Sequence, residues 1–327
     1  MMRERNDLLG VLEAAYRLDG DDGTWLARVV DRAARAGLDR GLGACGMLYD
    51  LTDGVRIWEP VTRGTPEGAL DALRALEGST TPELARRFLI ATPTCSTMSA
   101  RLRLGARMLQ HPAHQTFLAP LGIVDFLGVA ATEPTGSGCL VGAPLPAITK
   151  VPRGEAHAWA RVAAHLAAGL RLRRRKAPMA AVLSPTGKVE HAEDSAKGSL
   201  EALRDGARAM VDAQRTSDVP SGLEAWRALV DGRFSLVDQF DHDGKRYVVA
   251  FRNEPTAPNL HASLTDREAQ VLGYLAQGHA NKLIGYELGL SPSTVAMHLS
   301  NASSKLGAKS RVELVRLARN LSSEKPS

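Results

Sequence analysis

The sequence predicts an α+β protein in which two domains with antiparallel sheets precede a small all-α domain. The chain has 327 residues, enough for two or three domains of ordinary size. Before residue 253, short apolar runs occur in pairs around turn residues, as expected of hairpins. Between residues 264 and 321, apolar residues instead recur with helical spacing, and each segment has its own start and stop signals.

The first domain is expected at residues 1–176, with helices at both ends and two hairpins between them. Asp53-Gly54 and the turn at 134–138 separate the strands of the two hairpins. The predicted strands span 46–51, 55–58, 123–131 and 139–143. The predicted helices span 6–18, 22–38, 66–77, 81–90 and 154–176.

The second domain is expected at residues 177–253 and has helices between two hairpins. Residues 254–263, which contain Pro255 and Pro258, are read as the linker to the last domain. The predicted strands span 180–183, 188–191, 234–240 and 247–252, and the predicted helices span 195–215 and 221–231.

The order of these elements resembles that of sensor domains. In the first domain the order is helix, hairpin, helical insert, hairpin and long helix. With the local pieces 46–50, 125–127 and 165–167, this order resembles GAF domains. The strands, helices and further strands of residues 177–253 resemble a small PAS domain. The GAF resemblance implies a half-open pocket above an antiparallel sheet, but it identifies no pocket residue.

Residues 264–321 predict four helices with distinct boundaries. Thr265 and Glu268 form a capping box at the start of the first, and Ser310 and Glu313 are expected to form another at the start of the fourth. The second helix spans 281–288. Two short helices joined by a tight turn with a glycine, here Gly289, are typical of a helix-turn-helix.

The third helix, which begins at Ser291 and Pro292, is the candidate recognition helix. Its buried stripe is predicted to be Val295, Leu299, Ala302 and Leu306. The opposite face has small or polar side chains and one methionine, which permit close approach to base edges. This face comprises Ser293, Thr294, Ala296, Met297, Ser300, Asn301 and Ser304.

Residues 264–321 resemble the LuxR-type (GerE-like) DNA-binding domain across their whole length. The matching residues are Leu264, Thr265, Arg267, Glu268, Val271, Leu272, Gly278, Asn281, Lys282, Ile284, Leu288, Gly289, Ser291, Pro292, Thr294, Val295, His298, Lys305, Leu306, Ser310 and Arg311. The resemblance implies a four-helix domain that binds double-stranded DNA sequence-specifically and dimerises through its fourth helix.

Carried over by position, the resemblance also implies individual roles. Lys282, Thr294 and Lys305 correspond to phosphate contacts. The base-reading positions correspond to Ala296, Met297 and Ser300. Members of the family often have Lys or Arg in place of Ala296 and Ser300, so the resemblance does not supply the target sequence.

The fourth helix carries a candidate dimer surface. Its apolar residues form two sets, of which Val312, Val315 and Ala318 are expected to face the core of the domain. The second set is expected to lie in a homodimer contact or, alternatively, under the sensor domains of the same chain. This second set comprises Leu314, Leu317 and Leu321.

Charge and cysteine usage are consistent with a cytoplasmic DNA-binding protein. The net charge is +5, and residues 264–321 contribute seven basic minus four acidic residues, or +3. The cysteines, Cys45, Cys95 and Cys139, are far apart and are expected to be reduced and buried. For the basic run at 171–176, a DNA-contacting arm and a solvated helix end are both considered, and the second is favoured.

The sequence therefore predicts a cytoplasmic, dimeric transcriptional regulator with N-terminal sensor domains. Double-stranded DNA and a second copy of the chain are the expected partners, with RNA polymerase a further candidate. The sequence contains no catalytic motif, and no cofactor is expected. No metal site is expected either, because His111 and His114 lack additional ligands nearby. The alternatives are a protein-interaction adaptor whose helix-turn-helix no longer reads DNA, and a sensor enzyme.

Overall fold

The structure is a computed structural model of the chain, and the predicted α+β class is confirmed. It describes residues 7–52, 54–79, 81, 88–90, 94–174, 178–213, 215, 229–230, 234–240, 246–252, 260–261 and 263–321. The chain divides into two compact units. One contains residues 1–132, 137–174 and 211–226, and the other contains 133–136, 175–210 and 227–327.

The first unit is built on a five-stranded antiparallel sheet. Its strands are β1 (Ala44–Asp50), β2 (Arg56–Arg63), β3 (Cys95–Thr97), β4 (Asp125–Thr132) and β5 (Gly138–Leu145), in the order β2-β1-β5-β4-β3. Every residue of β4 and β5 is buried, as expected of apolar strands covered on both faces. Both predicted hairpins are confirmed for the described residues, which exclude Asp53.

Helices surround this sheet and agree in position with most of the predicted ones. They are α1 (Asp7–Tyr16), α2 (Asp22–Ala33), α3 (Ala69–Ser79), the single turn α4 (Met98–Arg101) and α5 (Arg153–Arg174). A π-type turn, Ala34–Leu38, extends α2 to the predicted end. The helix predicted over 81–90 lies mostly outside the described residues.

In the basic run at the end of α5, Arg171 is buried and the side chain of Arg173 is 5% exposed, so a solvated helix end is wrong for these two residues, whereas Arg174 is exposed. The guanidinium of Arg173 donates hydrogen bonds to the carbonyls of Leu18, at 2.8 Å, and Gly20, at 2.9 Å. Arg174 lies over the ring of Trp58, 5.1 Å from its centroid. These cations serve the packing of their own unit, which helical spacing does not reveal.

The second unit contains another five-stranded antiparallel sheet with the same strand order. Its strands are β6 (Met179–Leu183), β7 (Val189–Ala192), β8 (Leu229–Val230), β9 (Phe234–Phe240) and β10 (Arg246–Arg252), in the order β7-β6-β10-β9-β8. A 3₁₀ turn, Asp194–Ser199, and helix α6 (Leu200–Ala213) follow β7. The end of the helix predicted over 221–231 is wrong, because Leu229 and Val230 pair with β9, and residues 221–228 lie outside the described part.

Four helices complete the second unit within residues 263–321, all of which are described. They are α7 (Asp266–Ala276), α8 (Asn281–Leu288), α9 (Pro292–Leu306) and α10 (Arg311–Leu321), and their bounds match the predicted segments. Their shared core holds the buried side chains predicted for α7, α8 and most of α9, together with Leu314, which was predicted to lie outside it. The largest contributors are Val271, Leu272, Tyr274, Leu275, Ile284, Leu288, Val295, Leu299 and Leu314.

The three cysteine side chains lie in the interior of the first unit. Cys45, Cys95 and Cys139 are free and buried, and burial raises the pKa of each thiol to about 12. Among the described residues, no group of three or more His, Cys, Asp or Glu side chains is placed to hold a metal ion. In the same part of the chain, every helix is too short or too polar to span a bilayer.

Candidate nucleic-acid interface

A tight turn connects α8 to α9 and fixes the angle between them. Gly289 ends α8 in the left-handed region, with φ of 61°, which glycine adopts without strain. The amide of Leu290 then donates a hydrogen bond of 2.8 Å to the carbonyl of Gly285. A Cβ atom on Gly285 would lie 2.5 Å from the carbonyl oxygen of Leu290, so the close approach requires glycine at this position. This arrangement is a helix-turn-helix.

A network of hydroxyl groups holds the start of α9. The amide of Thr294 donates to Oγ of Ser291 at 3.0 Å, which confirms Ser291 as the N-cap. The Oγ atoms of Ser291 and Ser293 lie 2.7 Å apart, and Ser291 Oγ lies 2.8 Å from Oγ1 of Thr294. The first turn of α9 therefore has a defined geometry before any ligand arrives.

The two faces of α9 are divided as the sequence predicts. Val295, Leu299 and Ala302 are buried in the domain core, and Leu306, the fourth residue of the predicted stripe, is partly buried against it. Ala296, Met297 and Ser300 are exposed, and 52% of the surface of Met297 is accessible. Removing the apolar surface of this side chain from water would be favourable, and a thymine methyl group is an apolar partner that could cover it. The face is small, uncharged and accessible along the helix.

The predicted phosphate-contacting residues have three different environments. Lys282 is exposed on α8, and Thr294 is half-buried within the hydroxyl network of Ser291. Lys305 differs, because its Nζ lies 2.7 Å from Oε2 of Glu268 on α7. The structure thus leaves Lys282 available to a ligand while Lys305 is engaged within the domain.

The acidic groups near α9 differ in burial and in their hydrogen-bond partners. Glu287 is buried, and Oε2 of Glu313 accepts a hydrogen bond of 2.8 Å from the amide of Lys309. Glu268 is buried as well, and the hydrogen bond from Lys305 lowers the pKa of its carboxyl below the ordinary value. Asp266 is exposed in the first turn of α7.

The capping boxes predicted at α7 and α10 have different outcomes. At α7, Thr265 Oγ1 accepts from the amide of Glu268, whose carboxylate accepts from the amide of Thr265, so this box is confirmed. At α10, the amide of Glu313 donates to Oγ of Ser310, but the carboxylate of Glu313 reaches Lys309 instead of Ser310. The second box is therefore wrong as a reciprocal pair, although its N-cap is present.

The predicted faces of α10 are also wrong in part. Leu314 is buried in the core of the domain beside Ala318, and Leu321 packs against the same core. Val312, which was expected to face that core, is 80% exposed. The helical spacing of residues 314, 318 and 321 places them on one face, which packs inward. Nε of Arg319 donates a hydrogen bond of 2.9 Å to the carbonyl of Ala276, which fixes the rotation of α10 about its own axis. The exposed apolar surface of α10 therefore contains Val312, with Leu317 half-buried.

Two further features of the domain were not identified from the sequence. The first is that the N-cap of α8 is Ala280, which provides no side-chain cap, whereas α7 and α9 have Thr265 and Ser291 at this position. The second is His279, which stacks on the ring of Tyr274 with centroids 5.4 Å apart. Burial lowers the pKa of His279 to about 4, so this imidazole is neutral in the folded domain at ordinary pH.

Comparison with known proteins identifies this domain. Residues 262–318 match the family model described as bacterial regulatory proteins, luxR family (GerE). The chain is 33% identical over 111 residues to the transcriptional regulatory protein FixJ of Rhizobium meliloti. This match covers 31% of this chain and 54% of that protein. It is 51% identical over 57 residues to FixJ of Azorhizobium caulinodans, and 57% identical over 53 residues to the transcriptional regulatory protein UhpA of Escherichia coli.

These matches cover a limited part of either partner. They span 17% of this chain and 27% of the protein for FixJ of Azorhizobium caulinodans, and 16% and 27% for UhpA. The chain thus spans about half or less of the length of these relatives. The C-terminal domain is a LuxR-family helix-turn-helix domain, as the match over residues 262–318 shows.

Proposed function

We propose that the chain is a transcriptional regulator that binds double-stranded DNA by placing α9 in the major groove. The observation that carries this proposal is the exposed, uncharged face of α9, which the tight turn after α8 and the cap at Ser291 hold in place. A face built for solvent would usually carry Lys and Glu side chains. The similarity to FixJ and UhpA, both described as transcriptional regulatory proteins, supports the same function.

Within this proposal, Lys282 and Thr294 contact phosphates while Ala296, Met297 and Ser300 read bases. None of the three base-reading side chains can offer guanine the bidentate fork of an arginine. Readout therefore depends on methyl contacts, bridging water and the shape of the duplex. Met297 contributes the largest apolar contact of the three, because it is the longest side chain on the exposed face.

The test of DNA binding uses the full chain and a labelled duplex over a series of salt concentrations. The logarithm of the affinity should fall linearly with the logarithm of salt, and Lys282→Gln should reduce the slope by about 0.9, as expected for one lost phosphate contact. Binding that does not respond to salt, or no binding to any duplex from a random library, would favour the adaptor alternative. In that case the helix-turn-helix would be a protein-binding surface.

We extend the proposal to the two sheet domains, with boundaries at residues 1–176 and 177–253 and a linker at 254–263. Both have a five-stranded antiparallel sheet of the same order, with helical structure between the second and third strands. This repetition supports a GAF-like and a PAS-like sensor domain that act by binding an effector and not by catalysis. An effector can change DNA affinity only through its different affinities for two states of the chain.

The regulator is further proposed to be a cytoplasmic homodimer that also contacts RNA polymerase. The dimer surface is placed on the outer face of α10, where Val312 is exposed and Leu317 is half-buried. Leu317→Glu should abolish cooperative binding to a duplex with two half-sites. Cooperativity equal to that of the wild type would place the dimer contact elsewhere.

A further inference from the structure

The strongest additional feature of the molecule is the contact between Lys305 and Glu268. Lys305 lies in the last turn of α9 and Glu268 in the first turn of α7, and 2.7 Å separates Nζ from Oε2. The two residues are 37 positions apart in sequence. The contact therefore connects the end of the recognition helix to the beginning of the helix on which it packs.

The carboxylate of Glu268 is part of the domain interior. Its side chain is 5% exposed, whereas 36% of the side chain of Lys305 is accessible. The same oxygen, Oε2, also accepts a hydrogen bond of 2.9 Å from the amide of Thr265. A carboxylate removed from water in this way requires compensating donors, and Lys305 supplies the charged one.

The position of Lys305 on α9 also argues against a direct role at the groove. Lys305 follows Met297 by eight positions, which rotates it by about 80° around the helix axis. Met297, by contrast, lies opposite the buried residues Val295 and Leu299. In the described part of the chain, Lys282 has no carboxylate partner, so it differs from Lys305 in availability.

We propose that Lys305 is a positioning residue, which acts through Glu268 to set how α9 lies on α7, and that it is not a phosphate contact. The inference rests on the proposed function, because it assumes that α9 enters the groove. The arrangement of Lys305, Glu268 and Thr265 couples the cap of α7 to the end of α9. A change in either charged residue should therefore misplace the same helix and weaken the same complex.

The experiment compares four variants of the full chain: Lys305→Gln, Glu268→Gln, the double variant and Lys282→Gln. Glu268→Gln retains an amide oxygen that can accept from Thr265, so the cap survives while the ion pair is lost. Affinity for a labelled duplex of random sequence is measured over a potassium chloride series. Hydrogen exchange of peptides from α9 is measured on the same samples, and their folding is checked by circular dichroism.

If Lys305 positions α9, three variants should behave alike. Lys305→Gln, Glu268→Gln and the double variant should each bind about tenfold more weakly, because coupled pairs are not additive. Their salt slopes should equal that of the wild type, and their α9 amides should exchange faster. Lys282→Gln should do the reverse, with a slope lower by about 0.9 and unchanged exchange in α9.

Other results would overturn the proposal. A salt slope lowered by about 0.9 in Lys305→Gln, with wild-type binding by Glu268→Gln, would make Lys305 a phosphate contact. Additive losses in the double variant would show that the two residues act separately. If the wild type binds no duplex, the proposed function fails. The positioning role of Lys305 is then decided by hydrogen exchange alone. Unchanged exchange of the α9 amides in Glu268→Gln would refute it.

Discussion

Adding a hydroxyl at Ala280 should stabilise the helix-turn-helix. The three N-caps of α7, α8 and α9 have nearly the same backbone: φ and ψ are −72° and 157° at Thr265, −73° and 152° at Ala280, and −66° and 150° at Ser291. A threonine at 280 thus needs no change of backbone conformation. Ala280 is exposed, so the added atoms bury no polar group.

The size of the effect follows from the amides at the start of α8. An N-cap hydroxyl typically contributes about 0.5–2 kcal/mol. Here the amide of Leu283 already donates a hydrogen bond of 2.9 Å to the carbonyl of Ala280, so the hydroxyl would share a donor that is not free. We therefore expect Ala280→Thr to gain about 0.5–1 kcal/mol, the lower half of the usual range.

Hydrogen exchange of the full chain measures this gain directly, because local opening free energies set the exchange rates. Peptides from α8 should exchange roughly two- to fivefold more slowly in Ala280→Thr than in the wild type. Ala280→Val is the matched control, since valine has the shape of threonine without the acceptor. Equal protection in the threonine and valine variants would refute the capping argument.

Three further predictions concern the same domain. Leu314→Ala should cost about 2–5 kcal/mol in urea unfolding and Leu317→Ala less than about 1 kcal/mol, because Leu314 is in the core. Gly285→Ala should cost about 1–3 kcal/mol, since its Cβ meets the carbonyl of Leu290, and thermal melts check this. Between pH 6.5 and about 4, the stability contributed by the neutral His279 should be lost as the pH falls, because unfolded His279 binds a proton that the folded form excludes, and His279→Phe should remove this part of the loss in acid-unfolding measurements.

Much of the C-terminal domain could be predicted because its signals are local. The capping box of Thr265 and Glu268, the stop at Gly289 and the cap at Ser291 each act within a few residues. Helical spacing likewise identified Val295 and its neighbours as buried. Sequence and structure agree where one helix and its ends decide the outcome.

The faces of α10 could not be derived in this way. Both sets of apolar residues on this helix have helical spacing, so the sequence allows either to face inward. The choice depends on packing against α7, where Arg319 binds the carbonyl of Ala276 and Leu314 enters the core. Long-range contacts of this kind leave no periodic trace in the sequence.

Charged residues were the least predictable part of the chain for a similar reason. The run that ends α5 contains consecutive cations, which favour solvent on grounds of solvation alone. In the structure, Arg173 finds carbonyl acceptors at Leu18 and Gly20, and Arg174 finds the ring of Trp58. Lys305 is a parallel case, because its partner Glu268 is also distant in sequence. A charge pattern therefore does not reveal which of its members has a partner elsewhere in the fold.

The edges of both sheets bear on how copies of the chain can associate. Unpaired sheet edges invite pairing between molecules, and short or interrupted edge strands prevent it. Strand β2 contains Pro60, which donates no hydrogen bond, beside Glu59 in the left-handed region at φ of 50°. The edge strands β3, β7 and β8 have three, four and two residues. The described edges are therefore poor templates for strand pairing, and the dimer contact proposed on α10 does not depend on them.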